Sequence, residues 1–282
     1  MAFRKFIKKP SLGFKTPGIM GIINLTPDSF SDGGRFYNKT KYTIKKAIEM
    51  VDLGADIIDI GAESTRPGAK TIKPEIEIKR LKPVINSLLN KKIRVSVDTR
   101  NSSTMDFALE KGVQFINDIS ALQNDHESVK IIKKYPKCFI ILMHMQGTPQ
   151  TMQKNPKYSF APKDIYHFLK GRIEFCKKNK ISKKKIIIDP GIGFGKNSKH
   201  NIEILQNLGL FNNLGCNLLI GLSRKRFISE LSRNEKPIDR IPGTIAANQF
   251  ALDQGADIIR VHDVKEAIQA KSIWEVLKKV KI

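Results

Sequence analysis

The sequence predicts an α/β fold, a single-domain (β/α)8 TIM barrel. Three observations carry that reading. Eight short apolar runs recur along the 282 residues, each ends at polar residues, and each is followed by a helical pattern, giving strand-then-helix units of about 35 residues. Crossovers of that length suit parallel pairing, and eight such units in one domain favour a closed barrel over a doubly wound sheet. The barrel spans residues 18–282 behind an N-terminal extension over 1–17, and no stretch reads as a domain linker.

Each unit has its own signals. Gly18–Asn24 is an apolar run ending at Asn24, followed by the loop LTPDSFSDGG and a helix from about Lys41 to Leu53, with Ile44, Ala47, Ile48 and Val51 on one face. Ile57–Ile60, carrying Asp59, leads into GAESTRPGA and a helix from about Pro74 to Leu89. Arg94–Val97 ends at Asp98 and precedes a helix near Thr104–Lys111. Phe115–Ile116 runs into Asn117 and Asp118, with a helix around Ser128–Lys134. Phe139–Met143 ends at His144, and a long polar insertion over Asn155–Lys163 comes before a helix at about Ile165–Lys177.

The sixth unit organises the rest. Ile186–Ile188 has no polar face, so it reads as a strand buried on both sides. It stops at Asp189; Pro190 bars continuation in a central sheet, and Gly191, Gly193 and Gly195 allow a tight loop close to a ligand, with Lys196 adding a cation. A helix near Asn201–Leu208, the strand Leu218–Leu222 ending in SRKR, a helix over Ile241–Leu252, the strand Ile258–Val261 and a closing helix over Lys265–Val280 complete the series.

Composition bounds the possibilities. No run of eighteen apolar residues appears, so no membrane span is expected. The first residues, MAFRKFIKKPSLGFK, lack the apolar core of a secretion signal. Cys138, Cys176 and Cys216 are too widely spaced for a metal knuckle or a disulfide framework, which points to a reduced cytoplasmic compartment. The formal charge of +23 raises a nucleic-acid or anionic-membrane surface. Against that, Lys and Arg are spread through every segment, and no RNP-type aromatic pattern, KH loop or helix-turn-helix supports it. A positive field still attracts an anionic substrate.

Chemistry in a βα barrel sits at the C-terminal ends of the strands. Asn24, Asp59, Asp98, Asn117, His144, Asp189, Ser223–Lys225, Arg260 and His262 all fall there. A single acidic residue at a strand end is usually a cap; this many polar ends on one rim make a site. Asp98, Asn117 and Asp189 suit the amide-and-amine edge of a flat heterocycle, and Lys225 suits one of those carboxylates or a ring carbonyl. Arg66, Arg260 and His262, with Ser64 and Thr65, suit a diphosphate. No nucleophile–base pair and no zinc motif stands out, so the site reads as one for binding and electrostatic stabilisation.

The strings NLTPDSFSDGG, D-I-G-x-E-S-T-R-P-G-A, V-D-T, N-D-I, L-M-H-M-Q-G, D-P-G-I-G-F-G-K, S-R-K and R-V-H-D-V occur in that order from about Gly18 to Val264. Together they resemble the dihydropteroate synthase family, pterin-binding enzymes of folate synthesis. The resemblance implies condensation of 6-hydroxymethyl-7,8-dihydropterin diphosphate with p-aminobenzoate, giving 7,8-dihydropteroate and diphosphate. By the same resemblance Asp98, Asn117, Asp189 and Lys225 hold the pterin, with Thr65 beside it. Asn24, Arg260 and His262 serve the diphosphate, with Mg²⁺ at Asn24. Asp98, Lys225 and Arg260 are the expected catalytic residues. Arg66 and Pro67 belong to a mobile second loop that closes with Asp28–Gly34, bringing Phe30 and Ser223 near p-aminobenzoate. The family also implies a sulfonamide target and a homodimer built through C-terminal helices.

Two positions depart from the family pattern. Ala62 stands where Gly is common, which is tolerable if its φ is ordinary; Arg226 stands where Ser is common, beside the expected p-aminobenzoate pocket. The rival readings are a pterin-binding methyltransferase acting on a methyl-folate, which needs neither the diphosphate cluster nor the closing loops, and a nucleic-acid-binding protein.

Overall fold

The computed structural model describes residues 9–26, 40–65 and 68–279. Eight parallel strands close into a barrel in sequence order, the last pairing with the first. They are β1 (Gly18–Asn24), β2 (Ile57–Gly61), β3 (Val95–Asp98), β4 (Phe115–Asp118), β5 (Phe139–Met143), β6 (Ile186–Asp189), β7 (Asn217–Gly221) and β8 (Ile258–Val261). The helices around them are α1 (Thr40–Asp52), α2 (Pro74–Asn90), α3 (Ser102–Glu110), α4 (Ser128–Lys134), α5 (Ala161–Lys178), α6 (Ser198–Gln206), α7 (Arg226–Glu230), α8 (Ile241–Asp253) and α9 (Val264–Lys279). None of the described helices is long and apolar enough to cross a membrane.

Alternation along each strand sorts residues into two environments. Outward side chains such as Ile23, Ile60, Val97, Ile116, Ile188 and Val261 pack under the helices in one large core. Inward side chains Met20, Ile57, Phe115, Ile141, Ile187, Leu219 and Ile258 form a separate apolar floor inside the barrel, where each large side chain contributes about 1.5–3 kcal/mol by burial. Two residues further along, the same inward face becomes polar on β2, β4, β6 and β8.

Residues 9–17 form no strand or helix. Leu12 enters the floor and is buried there. Lys9 reaches Asn212 Oδ1 at 2.6 Å, the Gly255 carbonyl at 3.1 Å and the Asp257 carboxylate, while Asn217 Nδ2 donates to the Pro10 carbonyl at 2.9 Å. The segment stands outside the repeat yet closes the bottom of the barrel.

The elements lie where periodicity places them, with four differences. Helix α5 begins at Ala161, inside the expected insertion over Asn155–Lys163, with Pro162 in its first turn. The buried stripe of α1 is Thr43, Ala47 and Met50, shifted from the expected Ile44 line, with Ile48 and Val51 at its edge. Helix α6 begins earlier than Asn201, because the Asn197 side chain accepts from the His200 amide at 2.9 Å in a reciprocal cap. It ends at Gln206, and a 3₁₀ segment over Leu208–Leu214 follows. Helix α7 has five residues, too short to leave a periodic signal. All three cysteines are buried and unpaired, and burial pushes their thiols up, Cys138 to about 12 and Cys176 and Cys216 to about 11.

Candidate active site at the barrel mouth

The polar layer above the floor follows from strand periodicity. Ile57 faces inward, so Asp59 does too; the same step carries Phe115 to Asn117, Ile187 to Asp189 and Ile258 to Arg260. In-register pairing then sets Asp98 beside Gly61 on one strand and Asn117 on the other. Gly61 matters here, since a Cβ at that position would lie 3.3 Å from Asp98 Cβ.

Asp59 is the hub. It is fully buried, and its Oδ2 accepts from Asn117 Nδ2 at 3.0 Å and from Arg260 Nε at 2.6 Å. Arg260 Nη2 donates to Asp98 Oδ2 at 3.0 Å. One guanidinium therefore bridges two carboxylates, which partly repays their desolvation. Burial still lifts the Asp98 carboxyl to about 8, with Arg260 opposing the rise and Asp59 adding to it. Burial thus holds the group toward its neutral form, and a cationic or N–H-rich ligand would draw it toward the charged one.

Asp189 closes the other side. Its Oδ1 accepts from the Gly191 amide at 2.7 Å, and burial raises its pKa, opposed chiefly by Lys225. Lys225 shows the converse, lowered to about 8 by burial, with Asp189 opposing. Its ammonium donates to the Ile192 carbonyl and lies 4.9 Å from the centroid of the Phe194 ring. The loop between β6 and α6 owes its path to Gly191 at φ +69°; a Cβ there would strike the His144 carbonyl oxygen.

Above this layer opens a cavity of about 790 Å³, lined among others by Asn24, Thr65, Phe194, Ser223, Arg226, Arg240, Arg260 and His262. Ser223 Oγ accepts from the His262 amide at 3.2 Å and meets the ring Nδ1 at 3.0 Å, so β7 and β8 are stitched together at the rim. Arg224, held at φ +58°, pairs with Asp263 through its guanidinium, and its amide donates to Thr244 Oγ1 at 3.0 Å. Arg226, with 86% of its side chain exposed, pairs with Glu230 at 2.6 Å. Carboxylates are scarce in this lining: Glu230 is the acidic member against five Lys and Arg side chains besides Arg260. The mouth therefore favours anions. A second depression of about 790 Å³ between α8 and α9 mixes Ile245, Ile273, Trp274 and Leu277 with Gln249, Asp253, Glu266, Gln269 and Lys278, away from the strand ends.

The structure brings together Asn24, Thr65, Ser223, Lys225, Arg260 and His262 around the cavity, with Asp98, Asn117 and Asp189 in the layer beneath. Arg260 lines the cavity while its Nε and Nη2 are engaged with Asp59 and Asp98 beneath. Lys196 is buried and spends its ammonium on protein acceptors. Phe30, Arg66, Pro67 and the Asp28–Gly34 loop lie outside the described residues. Ala62 is not among the residues with positive φ, so its methyl group is accommodated. Sequence reasoning set Asp59 on the rim without a role; the period-two step from Ile57 was the signal for its inward aim. Gln153 and Tyr158, which hold the β6–α6 loop, left no such signal.

A family model described as pterin binding enzyme matches residues 20–262. The dihydropteroate synthase of Neisseria meningitidis serogroup B is 43% identical over 270 residues, covering 94% of each chain. That of Escherichia coli K12 is 40% identical over 272 residues, covering 96% of this chain and 95% of the other. A Yersinia pestis dihydropteroate synthase solved with a sulfonamide drug matches with a TM-score of 0.90 at 40% identity, over 94% of this chain and 95% of that one. The Xanthomonas albilineans enzyme in complex with 7,8-dihydropteroate matches with a TM-score of 0.83 at 34% identity, over 94% and 95%.

Proposed function

Because the chain belongs to the pterin-binding enzymes, we infer that its barrel mouth carries out the dihydropteroate synthase reaction. It is a transferase that joins 6-hydroxymethyl-7,8-dihydropterin diphosphate to p-aminobenzoate, forming 7,8-dihydropteroate and releasing diphosphate in folate synthesis. One observation carries the reading: Asp98, Asn117 and Asp189 converge under a cation-rich cavity that holds Arg260, His262 and Lys225.

We propose the following division of labour. Asp98, Asn117 and Asp189 take the amide-and-amine edge of the pterin, and Lys225 donates to a ring acceptor, with Thr65 against the ring. Asn24, Arg260 and His262 receive the diphosphate, which requires the Arg260 guanidinium to share or leave its carboxylates as the anion binds. Phe30, Arg66 and Ser223 are assigned to the p-aminobenzoate side.

The C–O bond to diphosphate breaks first, its electron pair leaving with the diphosphate, and positive charge develops on the pterin methylene. That charge favours the ionised form of Asp98, whose pKa near 8 lets it answer the change. The neutral aromatic amine then attacks the methylene carbon, and the ammonium formed loses a proton to water at the mouth. No dedicated strong base is needed.

The residues suit Mg²⁺. Among the described residues no group of three His, Cys, Asp or Glu is built to cage a metal. The Asn24 amide oxygen would be one hard oxygen ligand, with the substrate diphosphate and water supplying the rest, where this ion more often has one or two carboxylates. When bound there, the ion supplies positive charge to the departing diphosphate.

A homodimer is proposed through the C-terminal helices, where Phe250, Ile273, Val276 and Leu277 are exposed on α8 and α9; light scattering measures it. A cytoplasmic setting suits three buried unpaired thiols.

Diphosphate release, followed with Mg²⁺ in the presence and absence of p-aminobenzoate, tests the function. Release that depends on p-aminobenzoate and yields dihydropteroate is expected. Tight pterin binding without turnover would sink the synthase and bring the methyltransferase forward.

A further inference from the structure

One carboxylate holds the loop after β2 at both of its ends. Glu63 Oε1 accepts from the Ile72 amide at 3.1 Å, so residues nine positions apart are joined through a single side chain. The same carboxylate takes the Arg100 guanidinium, with Nε donating to Oε2 at 3.0 Å and Nη2 to Oε1 at 3.4 Å. Both side chains are buried, and a forked contact of this kind fixes orientation as well as distance. Arg100 Nη1 goes on to Asn124 Oδ1 at 3.3 Å, and Asn124 Nδ2 donates back to the Arg100 carbonyl at 3.2 Å. The segments leaving β2, β3 and β4 are thereby tied into one belt.

The belt adjoins the polar layer and the cavity. Gly61 pairs with Asp98 in register, and Glu63 and Arg100 each stand two residues beyond that pair. Ser64 and Thr65, directly after Glu63, line the cavity. On the near side of Glu63, Arg80 Nη1 donates to the Ala62 carbonyl at 3.0 Å; further along, the Gly68 amide donates to the Pro149 carbonyl at 3.0 Å. Neither Glu63 nor Arg100 has a part in the division of labour proposed for the substrates. A buried ion pair is costly to desolvate and adds little stability over an apolar pair, so this one, next to a cavity wall, points to a use other than stability.

We propose that Glu63 and Arg100 are positioning residues that decide what captures the pterin methylene, the amine of p-aminobenzoate or water. They do so by fixing Ser64 and Thr65 as a wall of the cavity. The proposal rests on the synthase reading. Once the C–O bond to diphosphate has broken, the electron-poor methylene reacts with any nucleophile that reaches it. Capture by water forms a new C–O bond, sheds one proton to solvent and gives 6-hydroxymethyl-7,8-dihydropterin, a hydrolysis that wastes the diphosphate. A wall fixed before the bond breaks excludes that water, and neither residue touches a reacting atom.

The test counts products for the unaltered chain, Arg100→Lys and Glu63→Gln, with Mg²⁺, the pterin diphosphate and rising p-aminobenzoate, alongside thermal unfolding. The measured quantity is 6-hydroxymethyl-7,8-dihydropterin formed per dihydropteroate, extrapolated to saturating p-aminobenzoate. Both variants are expected to raise it about threefold to tenfold, the worth of one hydrogen bond. Arg100→Lys keeps the charge and loses the fork, so the question stays answerable if Glu63→Gln does not fold. A ratio equal to that of the unaltered chain overturns the proposal, even with a lower melting temperature, and leaves the belt a matter of stability. An excess that disappears at saturating p-aminobenzoate also overturns it, since weaker amine binding would then account for the loss. No turnover by the unaltered chain removes the synthase reading, and the proposal falls with it.

Discussion

Arg260 on β8 donates to Asp59 on β2 at 2.6 Å, across the intervening strand β1. The contact exists only because the barrel closes; in an open sheet the two strands would be edges far apart. It makes Arg260 part of the polar core before any substrate binds.

Removing that guanidinium strands two buried carboxylates. Arg260→Met is expected to cost about 3–5 kcal/mol in folding stability, the range for breaking one side of a buried pair, together with most of the activity. Urea unfolding at neutral pH measures it, and a loss under about 1 kcal/mol would mean that solvent already compensates Asp59 and Asp98.

Asp189 carries the matching prediction for binding. Asp189→Asn should weaken pterin affinity by about 2–5 kcal/mol, as when one side of a buried charged contact is truncated. Calorimetric titration with a pterin reads this directly, and unchanged affinity would count against the assigned role.

The pH dependence of stability follows from Asp98, whose pKa burial raises from 3.8 to about 8. A carboxyl with a folded pKa above its unfolded value contributes its full stability below the unfolded value and loses it as pH rises through the folded one. Asp98→Asn lacks this titration. Its melting temperature should therefore gain on that of the parent from about pH 4 to about pH 8, and a difference that stays flat across that window contradicts the raised pKa.

Gly191 and Gly112 separate backbone strain from crowding. Both have positive φ, but a Cβ at Gly112 meets nothing within 4 Å, whereas one at Gly191 strikes the His144 carbonyl oxygen. Gly112→Ala should cost about 1–2 kcal/mol for the left-handed conformation alone. Gly191→Ala should cost clearly more, with the loop displaced and activity lost; equal thermal shifts would show that β5 and the loop can slide apart.

Arg226 stands at the cavity mouth and pairs with Glu230 on an exposed helix turn. Arg226→Ser should change stability by less than about 0.5 kcal/mol. It should raise KM for anionic p-aminobenzoate by a few-fold, with the difference shrinking as salt is added. A salt-independent effect would point to lost shape rather than lost charge.

The strands and the polar ends of the rim were legible in the sequence, because strand burial and a terminal Asp or Asn leave compact local patterns. Asp189 closes a run that is apolar on both faces, Asp98 ends a run broken only by Ser96, and Asn117 stands with Asp118 at the end of Phe115–Ile116. Arg260's engagement with Asp59 was not legible, since it depends on β8 pairing with β1. Helix α7 was too short to register. Tyr158 and Gln153 act from an irregular excursion after β5, where no repeat advertises what a side chain faces. The engagement of Lys196 with His144 and the Phe194 carbonyl depended on atoms that only the folded chain brings together.

The segment over residues 9–17 ties the two ends of the chain together. Lys9 needs Gly255 and Asp257, partners 246 and 248 positions downstream, and Leu12 needs a floor that includes Leu219 and Ile258. During synthesis, this stretch is made before β7 and β8 yet settles only after them. It has nowhere to dock until β7 and β8 are in place, so sealing of the floor reports that the whole ring has closed.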